Sequence, residues 1–109
     1  MIKIAKDFRF APGPRYIREG KNSGELFRQK ILREAMQTAI AKNQKLTVDL
    51  DGTAGYGRSF LEEAFGGLIR EDRLNYAAIK KALVVISHEQ PNIIEKINYY
   101  LDKAHEQEQ

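Results

Sequence analysis

The chain has 109 residues, 42% hydrophobic and 30% charged, with no cysteine and a formal net charge of +3. That length fits one domain with a small core, and the composition is that of a soluble globular chain rather than a disordered one. The missing cysteines exclude disulfides and thiolate chemistry, and no apolar stretch reaches the length needed to span a bilayer, so a cytoplasmic location is expected. Charge is uneven. Residues 1–33 carry nine basic side chains against Asp7, Glu19 and Glu25, and the remainder is net negative, an asymmetry that can serve an acidic partner or nucleic acid.

In chain order, a first strand is predicted over residues 2–5, followed by a loop and the breaker run Ala11-Pro12-Gly13-Pro14. A second short strand over residues 15–18 would close a hairpin with it. Ser23 then reads as the cap of a helix in which Leu26, Phe27, Ile31, Ala35, Met36, Ala39 and Ile40 keep helical spacing to about residue 43. Leu46, Val48 and Leu50 alternate with Thr47 and Asp49, the pattern of a strand with one apolar face.

Gly52, Gly55 and Gly57 punctuate the turn that follows this strand, and Ser59 with Glu62 has capping-box spacing for a helix. Phe60, Leu61, Ala64, Phe65, Leu68 and Ile69 would line its buried face. Residues 70–81 read as helix end and connection, and residues 82–86 form a continuous apolar run suited to an interior parallel strand. Pro91 suits the first turn of a last helix with Ile93, Ile94, Ile97, Tyr100, Leu101 and Ala104 inward, and residues 105–109 read as a polar tail. The order is ββαβαβα: an α/β domain with a mixed four-stranded sheet and helices mainly on one face.

Three chemistries compete. Val48-Asp49-Leu50-Asp51-Gly52-Thr53 resembles the first motif of haloacid-dehalogenase-type phosphatases, which implies Asp49 as nucleophile and Asp51 as acid/base around magnesium. The match covers six residues, and the distal lysine and carboxylate pair that phosphoryl transfer needs have no clear counterpart; the other reading puts Asp49 on the polar strand face and Asp51 at the start of the turn. His88 and His105 lack companions at metal-ligand spacing, and the glycines lack the lysine and hydroxyl of a P-loop, so no metal or cofactor is called for. Phe8, Phe10 and Tyr16 interleave with Arg9, Arg15 and Arg18, a mixture that either stacks bases and holds phosphates or packs on the sheet.

Ser23-Gly24-Glu25-x-Phe27-Arg28, Val48-Asp49-Leu50-Asp51-Gly52 and Gly57-x-Ser59-Phe60-Leu61-x-Glu63-x-Phe65-Gly66 together resemble the STAS-like domain family, distantly similar to bacterial anti-sigma-factor antagonists. The resemblance extends over nearly the whole chain. It implies a non-enzymatic regulatory domain, without cofactor, that docks on a protein partner, in the antagonists a histidine-kinase-like (GHKL-type) ATPase, through the strand-to-helix turn. Gly55, Gly57, Arg58, Ser59, Phe60 and Glu63 are then the implied partner contacts. Antagonists carry a phosphorylated serine in an Asp-Ser-Ser-Gly turn; this chain has Gly57-Arg58-Ser59-Phe60 there, and Ser59 matches by position. Ser59 is thus both a helix-cap candidate and a regulatory-site candidate, with nucleic-acid binding and a minimal phosphatase as the other classes.

Overall fold

The computed structural model describes residues 1–108; the last residue of the expected polar tail, Gln109, lies outside the described residues. Three parallel strands, β1 (Ile2–Lys3), β2 (Leu46–Asp49) and β3 (Leu83–Ile86), form a sheet in the order β1-β2-β3. Ile2 is in register with Val48, and Val48 with Val85. Helix α1 (residues 24–41) joins α-helical Gly24–Phe27 and Arg33–Ala41 through a π turn at Arg28–Leu32. Helix α2 (residues 58–70) likewise holds a π turn at Glu62–Gly66 between Arg58–Leu61 and Gly67–Arg70. Helices α3 (Tyr76–Ala82) and α4 (Asn92–Gln107) complete the chain.

Several expectations are corrected. No strand forms over residues 15–18; a 3-10 turn occupies Ile17–Glu19. The Tyr16 and Ile17 amides are bonded locally and to the start of α1, Tyr16 N–H to Glu19 Oε1 (3.1 Å) and Ile17 N–H to Glu25 Oε1 (2.9 Å), so they do not join a ladder with β1. β1 instead pairs in parallel with β2, and after Lys3 the chain bends into a π turn at Ile4–Phe8. The sheet is therefore three-stranded and parallel rather than four-stranded and mixed. The apolar run of β3 is an edge strand, with Val84 39% exposed, not an interior one.

The connection expected over residues 70–81 contains α3, whose start is capped by Asn75 Oδ1 accepting from Ala78 N–H (2.9 Å). Pro91 is the residue before α4 rather than its first turn, and α4 runs on to Gln107 through most of the expected tail. Ser23 does cap α1, its hydroxyl accepting from Leu26 N–H at 3.0 Å. Ser59 does not cap α2. Gly57 holds that position and offers no side chain, and Glu62 is occupied elsewhere.

The core lies between the sheet and the helices and is built from Ile2, Leu46, Val48 and Leu50 against Phe27, Leu32, Met36, Phe60, Phe65, Leu68, Ile97 and Leu101. On one side of it α1 packs against α2. A Cβ at Gly24 would fall well inside contact distance of the Phe60 carbonyl, so only glycine lets the two backbones meet there. Phe27 and Phe60 stack beside it with centroids 5.9 Å apart, and Phe8 packs 5.3 Å from Phe27.

One turn further along, Arg28 is buried. Its Nη2 donates to Glu63 Oε2 (2.8 Å), its Nη1 to Asp72 Oδ1 (2.9 Å) and its Nε to the Glu63 carbonyl (3.2 Å). Burial works against the charge, but Asp72 and Glu63 outweigh it and hold the guanidinium pKa above its ordinary value. Arg28 also lies across Gly67, where a Cβ would sit 2.5 Å from Nε. Around this pair Arg70 bonds Glu62 (2.5 Å) and Glu63 (3.2 Å), and Arg15 bonds Glu62. Burial raises the pKa of the Glu62 carboxyl, yet Arg70 and Arg15 prevail and hold it below the usual carboxylate range.

Two outcomes follow from this packing. Gly24→Ala is expected to destabilise by about 1–3 kcal/mol or more in urea denaturation, because backbone on both sides must move, whereas Gly57→Ser, in open space with ordinary φ, should be neutral or slightly stabilising. Because the folded-state pKa of Glu62 is depressed, its contribution is complete above the ordinary value of 4.5 and is lost as pH falls through the lowered one. Glu62→Gln should then cost more stability at pH 7 than in acid at about pH 3. An equal cost at both pH values would contradict the ion-pair account.

Candidate functional site

The carboxyl end of β2 leads through residues 50–57 into α2, and this turn is fixed from both sides. Asp49 Oδ1 accepts from Asp51 N–H (2.9 Å), closing the turn start. Asp51 in turn reaches the loop after β3: its Oδ1 accepts from Glu89 N–H (3.0 Å), its Oδ2 from His88 N–H (3.1 Å), and His88 Nδ1 lies 3.0 Å from Oδ2. The Glu89 amide first, and then the amide and ring of His88, hold the Asp51 carboxyl below its ordinary value although desolvation opposes this. Glu89 answers by accepting from Gly52 N–H (2.7 Å), at a position whose φ of 87° favours glycine.

On the other side Ala54 N–H donates to the Phe10 carbonyl (2.8 Å), so the N-terminal loop lies along the turn. The Tyr56 hydroxyl donates to the Leu50 carbonyl (2.8 Å). Burial, with the nearby carboxylates of Asp49, Asp51 and Glu89 adding to it, pushes the Tyr56 phenol up to about 12. A small cavity of about 50 Å³ lies between the two loops, lined by Asp51, Thr53, Tyr56, Ser87 and Glu89 among others.

These bonds bear on the acid/base alternative. Asp49 and Asp51 both accept backbone amides that shape the turn. Of the residues that could have supplied a phosphatase lysine and carboxylate, Lys80 lies on α3 with its Nζ paired to Asp102 (3.3 Å), and Asp72 is bound into the Arg28 cluster. Among the described residues no group of three or more His, Cys, Asp or Glu is placed to hold a metal ion. His88 is a solvated loop residue bonded to Asp51, and His105 stacks on Tyr76 with ring centroids 4.1 Å apart.

The aromatic–basic mixture of the N-terminal third divides in the same way. Phe8 is in the core and Arg15 in the ion network, while Phe10 is exposed and Arg18 lies over the Tyr16 ring (4.6 Å).

The six implied contact residues separate into two sets. Gly57, Arg58 and Ser59 are exposed at the start of α2, with Gly55 (φ 130°) half-buried before them. Phe60 and Glu63 are corrected to the interior: Phe60 is stacked on Phe27, and Glu63 is paired with Arg28. Helical periodicity turns them inward, away from Ser59. What the sequence reading missed is that the last helix, α4, packs on α2 and forms with it a groove of about 530 Å³ lined by Tyr56, Arg58, Leu61, Lys96, Tyr99 and others. Tyr99 is 58% exposed; its signal in the sequence is an aromatic one step off the apolar stripe that holds Tyr100.

The family described as STAS-like domain of unknown function (DUF4325) matches residues 23–92, from the cap of α1 to the first residue of α4. No curated protein and no solved structure matches the chain. The matched segment spans well over half of the chain and contains the α1–α2 contact, β2, the glycine turn and β3. The chain belongs to this family of STAS-like domains.

Proposed function

We propose that this domain is a non-enzymatic regulatory module that binds a protein partner through the β2–α2 turn and the exposed start of α2, with Ser59 as the phosphorylation switch. The observation that carries this reading is the contrast within α2. From Phe60 onward the helix is held by buried aromatic and ionic contacts, while Gly57, Arg58 and Ser59 are exposed and the helix start has no side-chain cap. Arg58 has no ion pair or hydrogen bond among the described residues. A rigid helix that presents free amides and an unpaired cation is suited to recognition.

The similarity to anti-sigma-factor antagonists suggests the partner, a GHKL-type ATPase acting in the cytoplasm, and it suggests the direction of the switch. A phosphate on Ser59 adds about −1.5 to −2 charges beside Arg58 at the contact and is expected to break the complex. Asp49 and Asp51, spent on backbone amides, support a turn rather than a phosphatase, and the paired Arg15 and Arg28 and the buried Phe8 take part of the aromatic–basic third out of any nucleic-acid surface.

With a GHKL-type ATPase that binds this domain as the partner, Ser59→Asp is expected to weaken the complex by about tenfold or more in calorimetry. Ser59→Ala, which removes no cap, should bind as the parent does, thermal melts showing both variants folded. Equal binding by the two variants, together with no effect of Arg58→Glu, would move the contact surface elsewhere.

A further inference from the structure

The groove between α2 and α4 opens directly beside the start of α2. Its floor is apolar: Leu61 and Ile93 are buried and Tyr100 nearly so. Tyr56, anchored by its hydroxyl on Leu50, forms one wall, and exposed Tyr99 stands on the other side in edge contact with Tyr100 (5.9 Å, 67°). The rim carries Arg58 on α2, Lys96 on α4 and one acid, Glu95. Neither Arg58 nor Lys96 has an ion pair or hydrogen bond among the described residues, whereas Arg15, Arg28, Arg33 and Arg70 are all paired. The positive end of the α2 dipole adds to the same side.

We infer that this groove receives an acidic amphipathic helix of a partner protein, one large apolar side chain resting on Leu61, Ile93 and Tyr100 and flanking carboxylates pairing with Arg58 and Lys96. The inference rests on the protein-binding reading above and specifies the chemistry of its partner. A groove between two helices with an apolar floor fits a helix laid along it, and exposed tyrosine and arginine are the side chains that dominate such contacts. Two cations set beside Glu95 are too few to follow a nucleic-acid backbone. The arrangement also gives the Ser59 switch a mechanism: a phosphate there both occupies Arg58 and repels the incoming carboxylates.

The test uses two defined probes: a helical peptide of about 16 residues with Leu and Phe on one face flanked by Glu, and the same peptide with every Glu replaced by Lys. In an amide-resonance titration the acidic peptide should shift residues 58, 61, 96 and 99, and should bind about tenfold or more tightly than the basic one. Arg58→Glu with Lys96→Glu, both on the exposed surface, should reverse that preference, and Tyr99→Ala should weaken the acidic peptide.

Equal binding of both peptides, shifts centred outside the groove, or no saturable shift up to about 1 mM would overturn the inference. So would concentration-dependent shifts of the groove without peptide, which would assign it to a second copy of the chain. If the ATPase complex remains sensitive to Ser59 while the peptides fail, the docking reading stands and only the acidic-helix assignment falls.

Discussion

The crossing of α1 over α2, made possible by the missing side chain at Gly24 and locked by the buried Arg28–Glu63 pair, sets the position of everything at the carboxyl end of the sheet. Gly24 lets the Phe60 backbone approach, the stacked rings of Phe27 and Phe60 fill the space beside it, and Arg28 spans Gly67 to reach both Glu63 and Asp72. Such a pair is not a strong net source of stability, since desolvating two charges offsets most of their attraction. Its value is in specificity. A misplaced α2 would leave Arg28 buried without a partner, at a cost of about 3–5 kcal/mol, so only one register of the two helices is tolerated.

That rigidity divides α2 into a buried body and a free start. The body is fixed by aromatic and ionic contacts, and the turn before it by Asp51, Glu89 and Tyr56, whose bonds run chiefly to backbone groups of the turn and of the loop after β3. Gly57, Arg58 and Ser59 are left exposed between two ordered regions, beside the groove formed with α4. Polar side chains that resemble catalytic equipment in the sequence are thereby used as turn-forming acceptors.

Much of this was legible in the sequence where local pattern decides. The apolar face from Phe60 to Ile69, the cap at Ser23 and the alternation of β2 all form as their spacing predicts. The family motifs were also visible, and their meaning is now physical: Gly24, Phe27 and Arg28 of one motif meet Phe60 and Glu63 of the other, and Arg28 lies across Gly67 just beyond it.

What was not legible depends on partners far apart in the chain. The capping-box spacing of Ser59 and Glu62 is overridden because Arg15 and Arg70 hold Glu62. Residues 15–18 look extended but bond to α1, so the expected hairpin does not form. Glu63 reads as a surface residue until Arg28, thirty-five positions before it, is seen to pair with it in the interior. Arg58 and Ser59, by contrast, have no long-range hydrogen bond or ion pair among the described residues, and their exposure is what the sequence reading of the site retained.

Amide hydrogen exchange on the free domain tests the division of α2 most directly. Amides of residues 58–60 should exchange rapidly, while those of residues 64–69 should exchange only through global unfolding. Protection at Arg58 and Ser59 equal to that of the helix body would mean that the start of α2 is already covered, and would contradict the account of a rigid helix with an open end.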